Sequence, residues 1–193
     1  MSRQPAKVLG PDAIRLLLRH VHRRRHAHRD RVIILLSFKA GLRACEISGL
    51  DWTMVLQTDG RLADSLQIAR SIAKKGSGRQ IPLHKDLSAA LTQLYRRMGK
   101  PRDGPVARSQ RGGRLTPRSI VNWFHTLYAE LGLIGCSSHS GRRTFITQSA
   151  RVLAKTGGSL RDIQELAGHR SITTTERYIQ GDRAAQRKLI SLL

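Results

Sequence analysis

Apolar residues recur at helical spacing along most of the chain. Ile14, Leu17, Leu18 and Val21 fall three and four apart after Gly10-Pro11-Asp12, which predicts a helix to about Val21. A dense basic stretch follows over 19–31, and Asp30 is placed to cap a second helix that reaches Ala40 and is ended by Gly41. Residues 44–50 read as a short helix. Residues 66–72 alternate apolar and polar, 80–83 form a short partner, and Lys75-Gly76-Ser77-Gly78 between them predicts a hairpin. Asp86 is placed to cap a helix to about Met98, and the Pro/Gly/Arg-rich 100–113 is a loop. Thr116-Pro117 opens a helix to about Leu131. Residues 140–153 form the next helix, before a flexible break at 155–158. Ser159 with Asp162 opens a helix that stops at Gly168, and Thr173 with Glu176 opens another that carries Tyr178. Residues 184–193 make a short amphipathic tail helix. The pattern is an α+β fold, mostly α-helical, with one small antiparallel sheet and no internal repeat.

Length and composition fit one folded domain, with 193 residues of which 39% are apolar. Charge adds more. The formal net charge is +22 and the pI about 11.6. So much positive charge repels itself unless a polyanion is near, which makes nucleic acid the first partner and an anionic membrane surface the second. The longest aliphatic run, 32–36, is far too short to span a bilayer, and no basic-then-apolar signal stretch opens the chain. Cys45 and Cys136 have neither metal spacing nor a disulfide framework, as expected of buried reduced thiols in the cytoplasm. His22 and His26 lie four apart but have no acidic or thiol companion, so no metal site is expected.

Four clusters can carry chemistry: Gly41-Leu42-Arg43-Ala44-Cys45-Glu46, Lys74-Lys75-Gly76, His139-Ser140-Gly141-Arg142-Arg143, and Gly168-His169 with Tyr178 nine residues later. Taken singly, each has an ordinary explanation. Arg43 and Glu46 are spaced as a helix-surface ion pair, Lys75 as a solvated hairpin tip, His139 as a helix cap and Tyr178 as a core aromatic.

Together and in this order they resemble the catalytic domain of the tyrosine recombinases, the phage-integrase family, over about residues 10–182. In the family, Arg stands in a Gly-Leu-Arg-x-x-Glu box and Lys at a β-hairpin. A His-x-x-Arg box and a Gly-His box ahead of a nucleophilic Tyr follow. The resemblance implies that Tyr178 attacks a DNA phosphodiester to leave a 3′-phosphotyrosyl bond and a free 5′-hydroxyl. Arg43 and Arg142 would clamp the phosphoryl oxygens, work that otherwise falls to a metal ion, so no cofactor is expected. Lys75 would protonate the leaving 5′-oxygen, with Lys74 the alternative that strand alternation points the other way. His139 would move the proton from Tyr178, His169 would hydrogen-bond a phosphoryl oxygen, and Glu46 would buttress the site by hydrogen bonds. Lys74, Arg143, Arg23, Arg24 and Arg25 are expected contacts to the DNA backbone. Tyr95 and Tyr128 lack a histidine-bearing turn ahead of them and are packing residues.

The resemblance carries departures. Relatives usually have a helical N-terminal core-binding domain that clamps the opposite face of the duplex. Here 1–9 is a loose lead and the catalytic domain starts at once, so that domain is expected to be absent. A complete short recombinase like the fimbrial phase-switch type, a fragment and a degenerate gene all fit. Gly141 stands where the family often has Leu, which would remove a core side chain, and 155–158 looks like an insertion. The partners implied are duplex DNA at specific recombination sites and three further copies in a tetramer on DNA, with a monomer in solution and no membrane. The tail helix, 183–193, is placed by its apolar end, 189–193, to dock on a neighbouring subunit or on its own domain. Two other readings compete: a catalytically inert regulator, for which 159–179 resembles a helix-turn-helix, and a type IB topoisomerase-like relaxing enzyme.

Overall fold

A helix apolar on every side organises the protein. In α2 (Ala27–Lys39), residues 32–36 and Phe38 are all buried, so the helix sits at the centre with neighbours around it. Each such side chain contributes roughly 2 kcal/mol of apolar burial. The computed structural model describes residues 5–73, 76–178, 187, 190 and 191. Around α2 pack α1 (Pro11–His22), which buries Ile14, Leu17 and Val21, then α4 (Lys85–Arg97) and α6 (Ser140–Thr156). Helix α3 (Ala44–Gly49) packs on α5 (Pro117–Glu130). Strands β1 (Ser65–Ile68) and β2 (Arg79–Pro82) pair antiparallel, with Leu66 opposite Ile81 and both buried. A second, smaller apolar cluster, centred on Ile146, Ile163 and Ala167, joins α6 to α7 (Leu160–Ala167), which leads into α8 (Ile172–Glu176).

Most elements lie where the periodicity places them, and the exceptions have physical causes. Helix α2 starts three residues before Asp30. The Asp30 carboxylate still sits in the first turn, favoured by the helix dipole, but it is buried and paired with Arg29 instead of capping. The cap of α4 is His84, whose Nδ1 accepts from the Asp86 N–H at 3.1 Å. Helix α6 runs through Lys155 and Thr156 to Gly157, so half of the expected break is helix. The strands are shorter than the alternation suggests, because the chain turns at 69–73.

The lead is not loose over 5–9. Leu9 is buried, its N–H donates to Thr144 Oγ1 at 2.9 Å, and the Lys7 N–H donates to the Gly135 carbonyl at 3.1 Å. Gly141 does not leave a gap. A Cβ there would lie 2.1 Å from Ser37 Oγ, so α2 and α6 meet too closely for any side chain. Cys45 and Cys136 are half-buried free thiols, more exposed than expected. Tyr128 stacks on Phe124 in the core, and Tyr95 packs on Trp52 while its hydroxyl donates to the Gly60 carbonyl, so both are packing residues. The tail, 183–193, lies outside the described residues apart from Arg187, Ile190 and Ser191.

Candidate active site

Four separate elements bring their ends to one open cleft of about 1220 Å³. Gly41 ends the α2 segment with φ +62°, a left-handed turn that an L side chain resists, and the chain then re-enters helix with Arg43 as the residue before α3. His139, Arg142 and Arg143 come from the start of α6, and His169 from the turn after α7, where Gly168 has φ +62°. Tyr178 follows α8. All six line the cleft, together with Ser77 from the hairpin.

Arg142 is buried and spends both terminal nitrogens of its guanidinium on backbone, Nη1 on the Gly41 carbonyl at 2.7 Å and Nη2 on the Ala167 carbonyl. It thereby ties the Arg43 turn to the His169 turn. Burial and then Arg43 pull its pKa down to about 10, which leaves it charged at neutral pH. Glu46 is fully buried behind the cleft. It accepts the Arg43 N–H at 2.9 Å, Arg43 Nη1 at 3.1 Å, and Arg79 Nη1 and Nη2 at 2.8 and 3.1 Å. Burial pushes its carboxyl up, but the bonds and charge of Arg79, with those of Arg43, more than reverse this, so it is held below the usual range. A helix-surface ion pair therefore does not describe Arg43 and Glu46.

His169 is 9% exposed and bonds through Nδ1 to Thr175 Oγ1 at 2.9 Å. Its ring stacks on Tyr178, centroids 5.6 Å apart and 21° from parallel, and the Arg143 guanidinium lies 5.9 Å over the Tyr178 ring. The His139 side chain makes no capping hydrogen bond to α6 and is exposed at the rim, so capping does not account for it. Lys74 and Lys75 lie outside the described residues.

Arg23, Arg24 and Arg25 are not in the cleft. They occupy the α1–α2 turn, at the other end of α2 from Gly41, about 20 Å away at 1.5 Å per residue. Arg23 and Arg25 are exposed, and Arg24 is committed to Glu130. Among the residues of the site that carry no motif and are missed by sequence reasoning are Arg79 and Thr175, which bond Glu46 and His169. Arg79 shares the inward face of β2 with Ile81, two residues on, and that phase was the available signal.

Burial, with Arg142, Arg43 and Arg79 nearby, lowers the His169 pKa from 6.5 to about 4. The unfolded chain takes up this proton as pH falls through 6.5, the folded chain only near 4. The associated stability is intact above 6.5 and is lost as pH falls to about 4, a loss of at most about 3 kcal/mol. Urea melts between pH 7 and 4 should show a shallower decline in His169→Gln than in the parent protein; equal slopes would refute the buried neutral imidazole.

What the site can do follows from its charge. Among the described residues, five arginines (43, 142, 143, 170 and 177) and the neutral His169 imidazole line the cleft, and the buried Glu46 carboxylate behind it already accepts from four donors. That arrangement suits an anionic, tetrahedral group with negative oxygens. Among the described residues no three His, Cys, Asp or Glu side chains cluster as a metal site, and no helix is long and apolar enough to cross a membrane.

Comparison with known proteins gives the family and the fold. The pattern of the phage integrase family matches residues 7–184. Tyrosine recombinase XerC of Myxococcus xanthus is 35% identical over 161 residues, covering 79% of this chain and 50% of that protein. The chain spans about half the length of such relatives. Among solved structures, the Tn1549 transposon integrase in complex with transposon right end DNA superposes with a TM-score of 0.75 at 18% identity, over 100% of this chain and 67% of that one. The XerA recombinase superposes at 0.73 and 21%, over 98% and 66%. At these identities the superpositions speak for the fold.

Proposed function

The chain belongs to the phage integrase family, and from that premise we propose that it cuts and rejoins DNA at specific sites through a 3′-phosphotyrosyl intermediate, without metal or ATP. The observation that carries the reading is the convergence of Arg43, Arg142, His169 and Tyr178, from separate elements, on one cleft. Residues 10–182 form the catalytic domain in this reading, and 183–193 a tail that docks on a neighbouring subunit.

The Tyr178 oxygen attacks the scissile phosphorus. A tyrosyl O–P bond forms, the bond to the 5′-oxygen breaks, and the leaving oxygen takes a proton from Lys75 or Lys74. His139 receives the Tyr178 proton. Arg43 and Arg142 hold the phosphoryl oxygens as charge builds on them, which is the work a metal ion does elsewhere. With the Thr175 hydroxyl donating to Nδ1, neutral His169 presents Nε2–H to a phosphoryl oxygen. The phosphotyrosyl bond conserves the energy of the phosphodiester, so an incoming 5′-hydroxyl restores the DNA by the reverse step. Arg143 lies beside the nucleophile and contacts the backbone, while Arg23 and Arg25 hold DNA that extends beyond the cleft.

Helix α8, at five residues, is too short for a recognition helix, and the turn before it is turned inward with His169 buried. This favours catalysis over the inert regulator. The direct test is a covalent trap: the protein is incubated in EDTA with nicked suicide duplexes from the DNA flanking its gene. A denaturation-resistant protein–DNA adduct is expected, and salt-sensitive binding with no adduct would instead favour the inert binder. Arg142→Lys should slow adduct formation by about 10²-fold or more, because a compact ammonium lacks the planar fork that reaches both carbonyls from separate nitrogens and still offers N–H groups to a phosphate. Single-turnover cleavage rates check this; a change of less than about threefold would remove Arg142 from the phosphate clamp.

A further inference from the structure

The tightest ion pair in the site is made by a residue that no motif marks. Arg79 opens β2, four residues beyond Lys75, and its side chain is 6% exposed. Its guanidinium meets both oxygens of Glu46, Nη1 at 2.8 Å and Nη2 at 3.1 Å, and Nε donates to the Leu166 carbonyl at 2.8 Å. The side chain lies against Gly168, where a Cβ would come within 3.0 Å of its Cδ and Nη1. All three nitrogens are engaged inside the protein, so Arg79 is not placed to touch DNA.

Arg43 is bound differently. It is 17% exposed in its side chain and gives Glu46 a single guanidinium N–H, at 3.1 Å. Its backbone N–H also holds Glu46, at 2.9 Å, which fixes the carboxylate at the start of α3. A carboxylate accommodates one forked, two-point arginine contact, and Arg79 occupies it. Were Arg79 missing, Glu46 would stay buried beside Arg43 and turn its free oxygens to that guanidinium. Arg43 would then be held in a neutral pair, with its donors spent before any phosphate arrived.

We propose that Arg79 is a positioning residue: by taking the forked contact of Glu46 it keeps the Arg43 guanidinium turned toward the cleft and leaves its remaining donors free for a phosphoryl oxygen. The inference rests on the reading of Arg43 as a phosphate ligand. It differs from a plain scaffolding role, which the Leu166 contact alone would give. The difference lies in Glu46. If Arg79 works by restraining that carboxylate, neutralising the carboxylate removes the need for Arg79.

The test needs no knowledge of the DNA target. Inorganic phosphate is titrated into the folded 193-residue chain while the Arg43 Nε–H resonance is followed by NMR, assigned by its loss in Arg43→Lys. In the parent protein the resonance should shift on titration. In Arg79→Met the apparent phosphate affinity at Arg43 should fall about tenfold or more, and in Arg79→Met/Glu46→Gln it should return to within about threefold of the parent. Arg79→Lys, which keeps the charge but loses the fork, should fall between and serves if the Met variant does not fold. Parent-like titration in Arg79→Met overturns the proposal, and so does a double variant as weak as the single one, which would leave only the Leu166 scaffold. An Arg43 resonance that ignores phosphate in the parent itself defeats the phosphate-clamp reading, and the proposal falls with it.

Discussion

Tyr178→Phe is expected to reduce covalent adduct formation by at least about 10³-fold while leaving the fold and the affinity for DNA unchanged. The substitution is clean because of what the structure gives the ring. Tyr178 stacks on His169 and lies under Arg143, and both contacts are made by the aromatic face, which Phe retains. Only the hydroxyl is lost. No other tyrosine is placed to take over. Tyr128 is buried against Phe124, where burial and then Cys136 push its phenol well above the ordinary value, and the Tyr95 hydroxyl is engaged by the Gly60 carbonyl. Adduct should therefore vanish on denaturing gels in EDTA, while gel-shift affinities and their salt dependence match those of the parent, because backbone contacts rest on arginines that are untouched. An adduct that survives the substitution would exclude Tyr178 as the nucleophile. Comparable adduct loss together with weakened binding would mean that the hydroxyl holds DNA rather than attacks it.

Much of this site could be read from the chain because its parts are local. A glycine turn before Arg43, a capping pair opening α7, and a glycine before His169 are short-range signals, and each encodes the backbone that presents one side chain. Helices with an apolar stripe, such as α1, were legible for the same reason. What escaped depends on partners distant in sequence. Glu130 takes Arg24 from 106 residues away, so a basic run that looks uniformly solvated contains an arginine already committed. Arg79 meets Glu46 and Leu166 only once β2, α3 and α7 are assembled. Asp30 has the residue type of a cap but lies inside the helix, because burial of the apolar run fixes the position of α2 more strongly than a cap worth about 1 kcal/mol.

Gly141 shows the same limit with the largest consequence for stability. The family resemblance makes Leu look natural at this position, and a glycine early in a helix looks like a defect that Ala would repair by at most about 1 kcal/mol. The packing reverses the sign. A Cβ at 141 would lie 2.8 Å from the Ser37 Cβ as well as 2.1 Å from its hydroxyl, and 3.1 Å from Phe38 Cδ2. The hydroxyl can rotate away, and it has no hydrogen-bond partner among the described residues to lose. The Ser37 Cβ cannot move, because α2 is packed on every side. Relief requires α6 to shift from α2, yet the start of α6 carries His139 and Arg142, and Arg142 is pinned to the Gly41 and Ala167 carbonyls. Gly141→Ala should therefore cost about 1–3 kcal/mol in urea melts, and Gly141→Leu on the order of 4 kcal/mol, with adduct formation lost before the fold is. Ser37→Gly combined with Gly141→Ala should recover most of the loss, because it removes the atom in the way, whereas Ser37→Ala should not. A Leu variant as stable as the parent would mean that α2 and α6 lie further apart than this packing requires. The glycine would then be an accident of sequence rather than the condition on which Arg142 reaches the cleft.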